Sequence, residues 1–397
     1  MFTSNVQDIR ELELKILHVV PYHYPATIYG GPIFSVLNMN NALAKLHDVS
    51  LQVLTTDTAG TRRLTAKETD KAQRFGYPVT FSRRLMGDSV APGLVVRLWR
   101  NIRWADAVHL TATYSFPTIP TLLLCRLLKK PLVWSLHGAL LHDFNRHQFD
   151  FQPWYWRAVK QAWLSVCRRL AERDDVAIHV TTEQEREASK RFFPQANFAV
   201  IPNGVDLPSR IPDRAWKPDG CLRLMYLGRL APVKGVENLL QAMARLGPDV
   251  SLKIYGTGDA DYVRRLKALA QTLGITERAV FMGHVDGEAK SQAFFEADVC
   301  VVPSYSENFC IVVAEALVHG VPVIVSDRLA WEKVEEVGCG LVAPNDSESL
   351  ARAMQKISKM ELAVMGESGR RWIESEYACP KIALQFKSLY ESVIACK

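Results

Sequence analysis

Two short runs, Val299-Cys300-Val301-Val302 and Val323-Ile324-Val325, are apolar at every position and rich in β-branched side chains. A strand with one wet face alternates apolar and polar residues, so a run with no polar position is buried on both faces, as in a parallel sheet. Parallel neighbours need a crossover between them. The stretch from Ser304 to Pro322 supplies one: Ser304-Tyr305-Ser306-Glu307-Asn308 reads as a polar loop, and Phe309, Val312, Val313, Ala316 and Leu317 then fall at helical spacing. The spacing predicts a helix beginning near Asn308, with its free amides aimed back at the loop. Such amides at the carboxyl edge of a parallel sheet attract phosphate oxygens and sugar hydroxyls.

The same alternation recurs along the chain. Strands are expected at Lys15 to Pro21, Val49 to Thr55, Val79 to Ser82, Ala107 to Thr111, Leu132 to Leu136 and Ala177 to Thr181. In the second half they are expected at Leu222 to Leu227, Ser251 to Tyr255, Val280 to Val285 and Gly338 to Pro344. Strands alternating with helical segments give a doubly covered parallel sheet. Pro202-Asn203-Gly204 and the prolines 208, 212 and 218 mark a turn and linker between two units of a size that holds its own core. The fold class is therefore α/β, with Rossmann-like units over 1–203 and 204–379. Thr58 to Arg74, polar and without apolar period, reads as a loop.

Charge is uneven: residues 1–200 carry 25 Lys and Arg against 17 Asp and Glu, and residues 201–397 carry 23 against 25. The first half is thus the side for an anionic partner. Trp99-Arg100-Asn101-Ile102-Arg103-Trp104, Leu127-Leu128-Lys129-Lys130 and Trp154 to Leu170 interleave aromatic and basic residues. They suit either the surface of an anionic membrane or helices that turn their aromatics to the core. No leader of the secreted type opens the sequence, and Leu122 to Leu128 is too short to span a bilayer. The eight cysteines lack Cys-x2-Cys spacing and read as thiols of a reducing compartment. The expectation is a cytoplasmic protein that reaches the inner face of the membrane through its basic half.

Candidate ligand groups cluster after strands. Glu307 and Glu315 are eight residues apart, roughly 12 Å on a single helix. Carboxylates accept bonds from vicinal diols and could hold the two ends of a nucleotide-sugar, hexose and ribose. Gly228-Arg229 and Lys234-Gly235 place two cations in a glycine-bounded strand-to-helix loop, suited to the diphosphate between them. Gly30-Gly31 precedes a helix start and brings bare backbone toward a phosphate. His137 follows a strand end. Tyr255-Gly256-Thr257-Gly258 lacks the third glycine of a dinucleotide fingerprint, so NAD is not expected. Asp259-Ala260-Asp261 has a metal-binding look but opens a helix, where the dipole favours acids; no metal is expected.

Glu-x7-Glu with Glu-Ala-Leu-x-x-Gly-x-Pro-Val, Gly-Arg-x5-Gly with its Lys, Ile-Pro-Asn-Gly-Val-Asp and the glycine loop occur in one order over nearly the whole chain. In this the sequence resembles glycosyltransferase family 4, the retaining GT-B enzymes. The resemblance implies two Rossmann-like domains facing a cleft, with the helix of 380–397 crossing back onto the first. It implies a nucleotide-sugar donor such as a UDP- or GDP-hexose, no cofactor, and a glycan or lipid-linked acceptor in surface-polysaccharide assembly, with no nucleic acid expected. By the same resemblance Glu307 lies by the transferred sugar, Glu315 holds the ribose, Arg229 and Lys234 take the diphosphate, and His137 sits by the reaction centre. Gly30, Gly31, Gly256, Asn308 and Phe309 complete the donor site, and His284 and Val285 lie by the base. Cys310 stands where the family usually has Gly. Other readings of the same architecture are a sugar-nucleotide epimerase or phosphorylase, or a non-catalytic sugar-nucleotide or RNA-binding protein.

Overall fold

The computed structural model describes residues 13–87, 89–144, 154–212, 214–217 and 220–397, with backbone only at 142–144 and 154. The polar leader up to residue 12 and Pro218 of the linker lie outside the described residues.

The first half is built on β1 (Leu14–Val19), β2 (Val49–Thr56), a small hairpin of β3 (Thr58–Ala59) and β4 (Arg62–Arg63), β5 (Val79–Ser82), β6 (Ala107–Thr111), β7 (Leu132–Ser135), β8 (Val176–Val180) and β9 (Asn197–Val200). All but the hairpin form one parallel sheet in the order β5-β2-β1-β6-β7-β8-β9. The second half carries β10 (Leu222–Leu227), β11 (Val250–Tyr255), β12 (Ala279–Gly283), β13 (Val299–Val302), β14 (Val323–Ser326) and β15 (Gly340–Ala343). These are also parallel throughout, in the order β12-β11-β10-β13-β14-β15. Two Rossmann-like sheets of the GT-B kind result, as the alternation of apolar runs and helical segments predicts.

In each sheet the winding direction reverses beside the first strand, between β1 and β6 and between β10 and β13. The loops beyond the carboxyl ends at such a reversal diverge and leave a crevice. After β1, β10 and β13 come the Gly30-Gly31 loop, the Arg229-Lys234 loop and the Glu307 loop. The topology thus puts the sequence candidates at the two places where an open α/β sheet binds ligands.

Each sheet is packed on both faces by buried aliphatic clusters. The last helix, Cys379–Ala395, packs against β6, β7 and β8 of the first sheet and contributes Ile382, Phe386, Tyr390 and Val393 to the core on that face. Lys387 of that helix pairs with Asp48 ahead of β2.

Two expectations are corrected, and one strand appears where none was expected. Asn197–Val200 forms an edge strand although Asn197 is polar and exposed, because β8 offers it a free edge. Thr58 to Arg74 is structured: beside the hairpin, Thr65 caps a helical turn in a reciprocal box with Glu68, and Ala59 and Leu64 are buried. The crossover helix after β13 begins at Ile311, not near Asn308.

Candidate functional site

The late helix start has a local cause. Cys310 is its N-cap and has φ +59°, a left-handed conformation, and Phe309 just before it is anchored in the core. The Phe309 ring packs on Trp331 and Tyr377, and Trp331 Nε1 donates to the Phe309 carbonyl at 2.6 Å. The Phe309 side chain therefore serves packing, and the chain from Ser304 to Asn308 remains a loop ahead of the helix. The separation of Glu307 and Glu315 is not a pure helical rise, since only Glu315 lies on the helix. A glycine is the residue at home at φ +59°, which gives position 310 its physical meaning.

Glu307 is half-buried and accepts from Lys234 Nζ at 2.5 Å and from Ser304 Oγ at 2.8 Å. Gly235 makes that pairing possible. It has φ +65°, and a Cβ there would lie 2.2 Å from the Pro303 carbonyl oxygen. The turn after Lys234 is thus pressed against the strand end that starts the Glu307 loop. Tyr305 N donates to Val233 O at 2.9 Å, and Asn238 Nδ2 bonds Tyr305 Oη and the Asn345 carbonyl, which fastens the two loops together.

Glu315 accepts from Lys290 Nζ at 2.6 Å. The same ammonium stands 5.7 Å from the Phe34 ring centroid, on the first helix of the other half. Lys290 was not expected; in Gly287 to Phe295 it is one polar helix residue among several, and nothing in the sequence marks it. Arg229 is exposed, with no side-chain partner among the described residues. Gly256 and Gly258 lie flat on its loop, where a Cβ would meet the carbonyl oxygens of Gly228 and Leu230 at 1.8 and 2.0 Å. These glycines give the Arg229 loop its place. His284 is exposed and stands 3.5 Å from Asp286, and Val285 is half-buried against the core of β13 and β14. Asp259 caps the helix Ala260–Thr272 by accepting from the amides of Asp261 and Tyr262 at 3.1 Å.

From the first half, Gly30 caps the helix Gly31–Leu43, and a Cβ on Gly31 would sit 3.9 Å from Ile311 Cγ2. His137 and Gly138, both left-handed at φ +49° and +76°, turn the chain after β7. Burial lowers the His137 pKa to about 4, so its ring is neutral at physiological pH and can accept or donate one bond. His137 borders a cavity of about 410 Å³ at the β1, β6 and β7 strand ends, walled by Tyr22, Ile33, Val90, Tyr114 and Phe116. The two halves meet where Gly138 touches Asn308. The structure brings His137, Gly31, Asn308 and Ile311 to one place. Glu307 with Lys234 is beside it, and Glu315, paired with Lys290, lies about one turn into the helix that follows the Glu307 loop. Arg229 and His284 remain on exposed loops.

Beneath His137 lies a buried histidine network that no motif announces. His18, His109 and His179 are 0, 1 and 2% exposed on β1, β6 and β8. His179 Nε2 bonds the Ile201 carbonyl at 2.8 Å, Ser135 Oγ bridges His179 Nδ1 and His109 Nε2 at 2.6 Å each, and Tyr390 Oη meets His109 Nδ1 at 2.7 Å. A carbonyl only accepts, so the protons are ordered: His179 Nε2 donates to Ile201, Ser135 to His179, His109 to Ser135 and Tyr390 to His109. His179 and His109 thus each carry one ring proton and are neutral. His18 stacks on His109 at 4.4 Å and bonds Asn40 and Thr111.

On the outer face of the first sheet, the helices Pro92–Trp104, Thr118–Leu127 and Trp154–Ala171 contain no Asp or Glu. The first and second pack on one another, as do the second and third. Leu94, Leu98, Leu122, Leu164 and Cys167 are buried, but Val96, Trp99, Leu127, Trp156 and Val159 are exposed among arginines.

Comparison with known proteins bears on the site. The family Glycosyltransferase Family 4 matches residues 29–208, and the family Glycosyl transferases group 1 matches residues 211–378. A glycogen synthase of Mycobacterium tuberculosis is 26% identical over 413 residues, spanning 95% of this chain and 94% of its own length. A GDP-mannose-dependent alpha-mannosyltransferase of Mycolicibacterium smegmatis is 35% identical over 177 residues, 43% of this chain and 44% of that protein. Among solved structures, Anabaena Alr3699/HepE in complex with UDP-glucose superposes with TM-score 0.74 at 19% identity, covering 96% of this chain and all of that one. Sucrose-phosphate synthase from Thermosynechococcus elongatus gives 0.71 at 22% identity, covering 97% of this chain and all of its own.

Proposed function

The chain belongs to the group 1 glycosyltransferases of family 4, and from that premise we propose that it moves a hexosyl residue from a nucleotide-sugar to a glycan or lipid-linked acceptor with retention of configuration. The observation that carries this reading is the pairing of Glu307 with Lys234 in fastened loops at a sheet reversal, with Glu315 and its partner Lys290 on the helix that follows the Glu307 loop. Each carboxylate has a cation that a ligand can recruit: an arriving diphosphate takes Lys234 and the hexose hydroxyls take Glu307, while a ribose diol takes Glu315.

Cleavage of the sugar–phosphate bond builds negative charge on the leaving diphosphate. Lys234 and Arg229 are the groups to counter it, by preorganised charge and without a metal. The neutral His137 ring stands between donor and acceptor sides and can bond a sugar hydroxyl. The acceptor enters the cavity beside it, whose aromatic walls Tyr22, Tyr114 and Phe116 suit the apolar face of a sugar. Its hydroxyl attacks from the face that the diphosphate leaves, and a phosphate oxygen takes the proton.

Surface-polysaccharide assembly at the cytoplasmic face of a membrane is the setting we propose. The three acid-free helices with exposed Trp99 and Trp156 support docking on anionic lipid, the apolar side chains entering the interface and the arginines meeting headgroups. Among the described residues no helix is long and apolar enough to cross the bilayer.

A thermal-shift panel of UDP- and GDP-sugars tests donor binding: a shift with at least one of them that disappears in Glu315→Ala is expected, and an unchanged shift refutes the ribose assignment. NMR of the product then reads the linkage, and an inverted anomer refutes the mechanism.

A further inference from the structure

We infer that Glu185 is a positioning residue that locks the His137-Gly138 turn of one half against the Glu307-bearing loop of the other. The inference rests on the reading of His137 and Glu307 as parts of the transfer site, and its bonds are independent of that reading.

Glu185 is 0% exposed and stands three residues into the helix Glu183–Lys190, after the cap Thr182. A glutamate there ordinarily reaches back to one backbone amide before the helix. Oε2 does so, accepting from Thr181 N at 2.8 Å and Thr181 Oγ1 at 3.0 Å. Oε1 does something else: it leaves the helix and accepts from Gly138 N. The Asn308 amide, turned so that its nitrogen faces the carboxylate, donates to Oε2 at 2.8 Å. One buried carboxylate therefore takes donors from both halves of the chain, and Asn308 is the immediate neighbour of Glu307.

The turn that Glu185 holds is one that needs holding. His137 and Gly138 are consecutive left-handed residues, and a histidine at φ +49° persists only where its surroundings over-determine it. Gly138 also has no room to spare, since a Cβ there would lie 2.7 Å from the Asn308 Cβ. A shift of the halves by about an ångström would break the Asn308 bond and leave a buried carboxylate short of a donor. Glu185 thereby favours the arrangement in which the His137 turn and the Glu307 loop abut, and links placement of the acceptor-side histidine to that of the donor-side glutamate.

The test is release of UDP or GDP from UDP-glucose and GDP-mannose, with alkyl glucosides and mannosides as acceptors. Glu185→Ala and Asn308→Ala should each lower kcat about tenfold or more, the scale of a small misplacement of reacting groups, with donor KM within about twofold. The double variant should be no slower than Glu185→Ala, because the two act as one unit. Thr182→Ala removes the cap of the same helix without touching Gly138 or Asn308, and its turnover should stay within about twofold of wild type. Equal loss in Thr182→Ala, or multiplying losses in the double variant, overturns the inference and leaves only a folding role. If Glu185→Ala fails to fold, Glu185→Gln keeps the shape with one acceptor oxygen; wild-type turnover in it overturns the inference equally. Absence of turnover in the wild type would refute the transferase reading instead, and the same cycle read in Tm still decides the bridge: additive losses of Tm overturn it.

Discussion

Acidification from about pH 7.5 to about 5.5 should destabilise the first half of the molecule by about 7 kcal/mol, through five imidazoles that folding keeps neutral. His18 and His179 are fully buried and lowered by desolvation to about 3, and His23, equally buried, to about 4. His109, stacked on His18 and edge-on to His179, is held well below its ordinary value by burial, and His137 is lowered by burial to about 4. The folded pKa lies under the unfolded value of about 6.5, so the unfolded chain binds more protons across this window and stability falls as pH falls. At about pH 5.5 each unfolded imidazole is roughly ten to one protonated, worth about 1.4 kcal/mol, and five, His137 included, give about 7 kcal/mol. Glu185 acts in the opposite sense: burial raises its pKa, and part of its cost is regained in acid. The assay is thermal unfolding at the two pH values, where a fall in Tm of about 14–28 °C is expected for a unit of this size. His179→Gln supplies the control. Whatever it costs at neutral pH, it should shrink the difference between the two conditions by about 1.3 kcal/mol, since one proton fewer is taken up. A Tm that does not change between the two conditions, or a variant with the full pH span, would refute the ordered, uncharged network.

Three further outcomes follow from backbone shape and surface. Gly235→Ala forces a Cβ to within 2.2 Å of the Pro303 carbonyl at φ +65° and should cost about 3 kcal/mol or more, read as a lowered Tm, with loss of the nucleotide-sugar thermal shift. Cys310→Gly relieves about 1 kcal/mol of left-handed strain and forfeits about as much in chain entropy, so Tm should stay within a few degrees, whereas Cys310→Val should cost about 1–2 kcal/mol of stability, read as a lowered Tm in the same melt. Co-sedimentation with vesicles should be strong for anionic and weak for neutral lipid, and Trp99→Glu with Trp156→Glu should abolish it; equal recovery from both vesicle types would remove the membrane reading.

The central strands were legible because a doubly covered parallel sheet buries both faces of its inner strands. Val299–Val302 and Val323–Ser326 are buried throughout, and their sequences show it. The same logic failed at Asn197–Val200, an edge strand with an exposed first residue, where pairing with β8 and not apolar content decides the conformation. The start of the crossover helix was misplaced because periodicity counts Phe309 as helical. Its ring serves a different cluster, with Trp331 and Tyr377, and that anchorage delays the helix to Ile311. Sequence spacing reports which side chains can share a face; it does not report which neighbour from elsewhere in the chain claims one of them first.

The candidate site divides along the same line. Lys234 and Glu307 could be singled out because each sits in a loop whose glycines and serines mark a strand-to-helix turn, and the fold joins them through the Gly235 contact with Pro303. Lys290 and Glu185 carry no such mark. One is a lysine in a polar helix, the other a glutamate at a helix start where glutamate is common anyway. Each gains its meaning from a partner far along the sequence: Lys290 from Glu315 and Phe34, Glu185 from Gly138 and Asn308. Groups that bind a ligand from one loop are visible in that loop's chemistry. Groups that hold two halves in register become visible only when the halves are brought together, and the buried carboxylate of Glu185, with no solvent to satisfy it, is the clearest sign that this register is part of how the site is built.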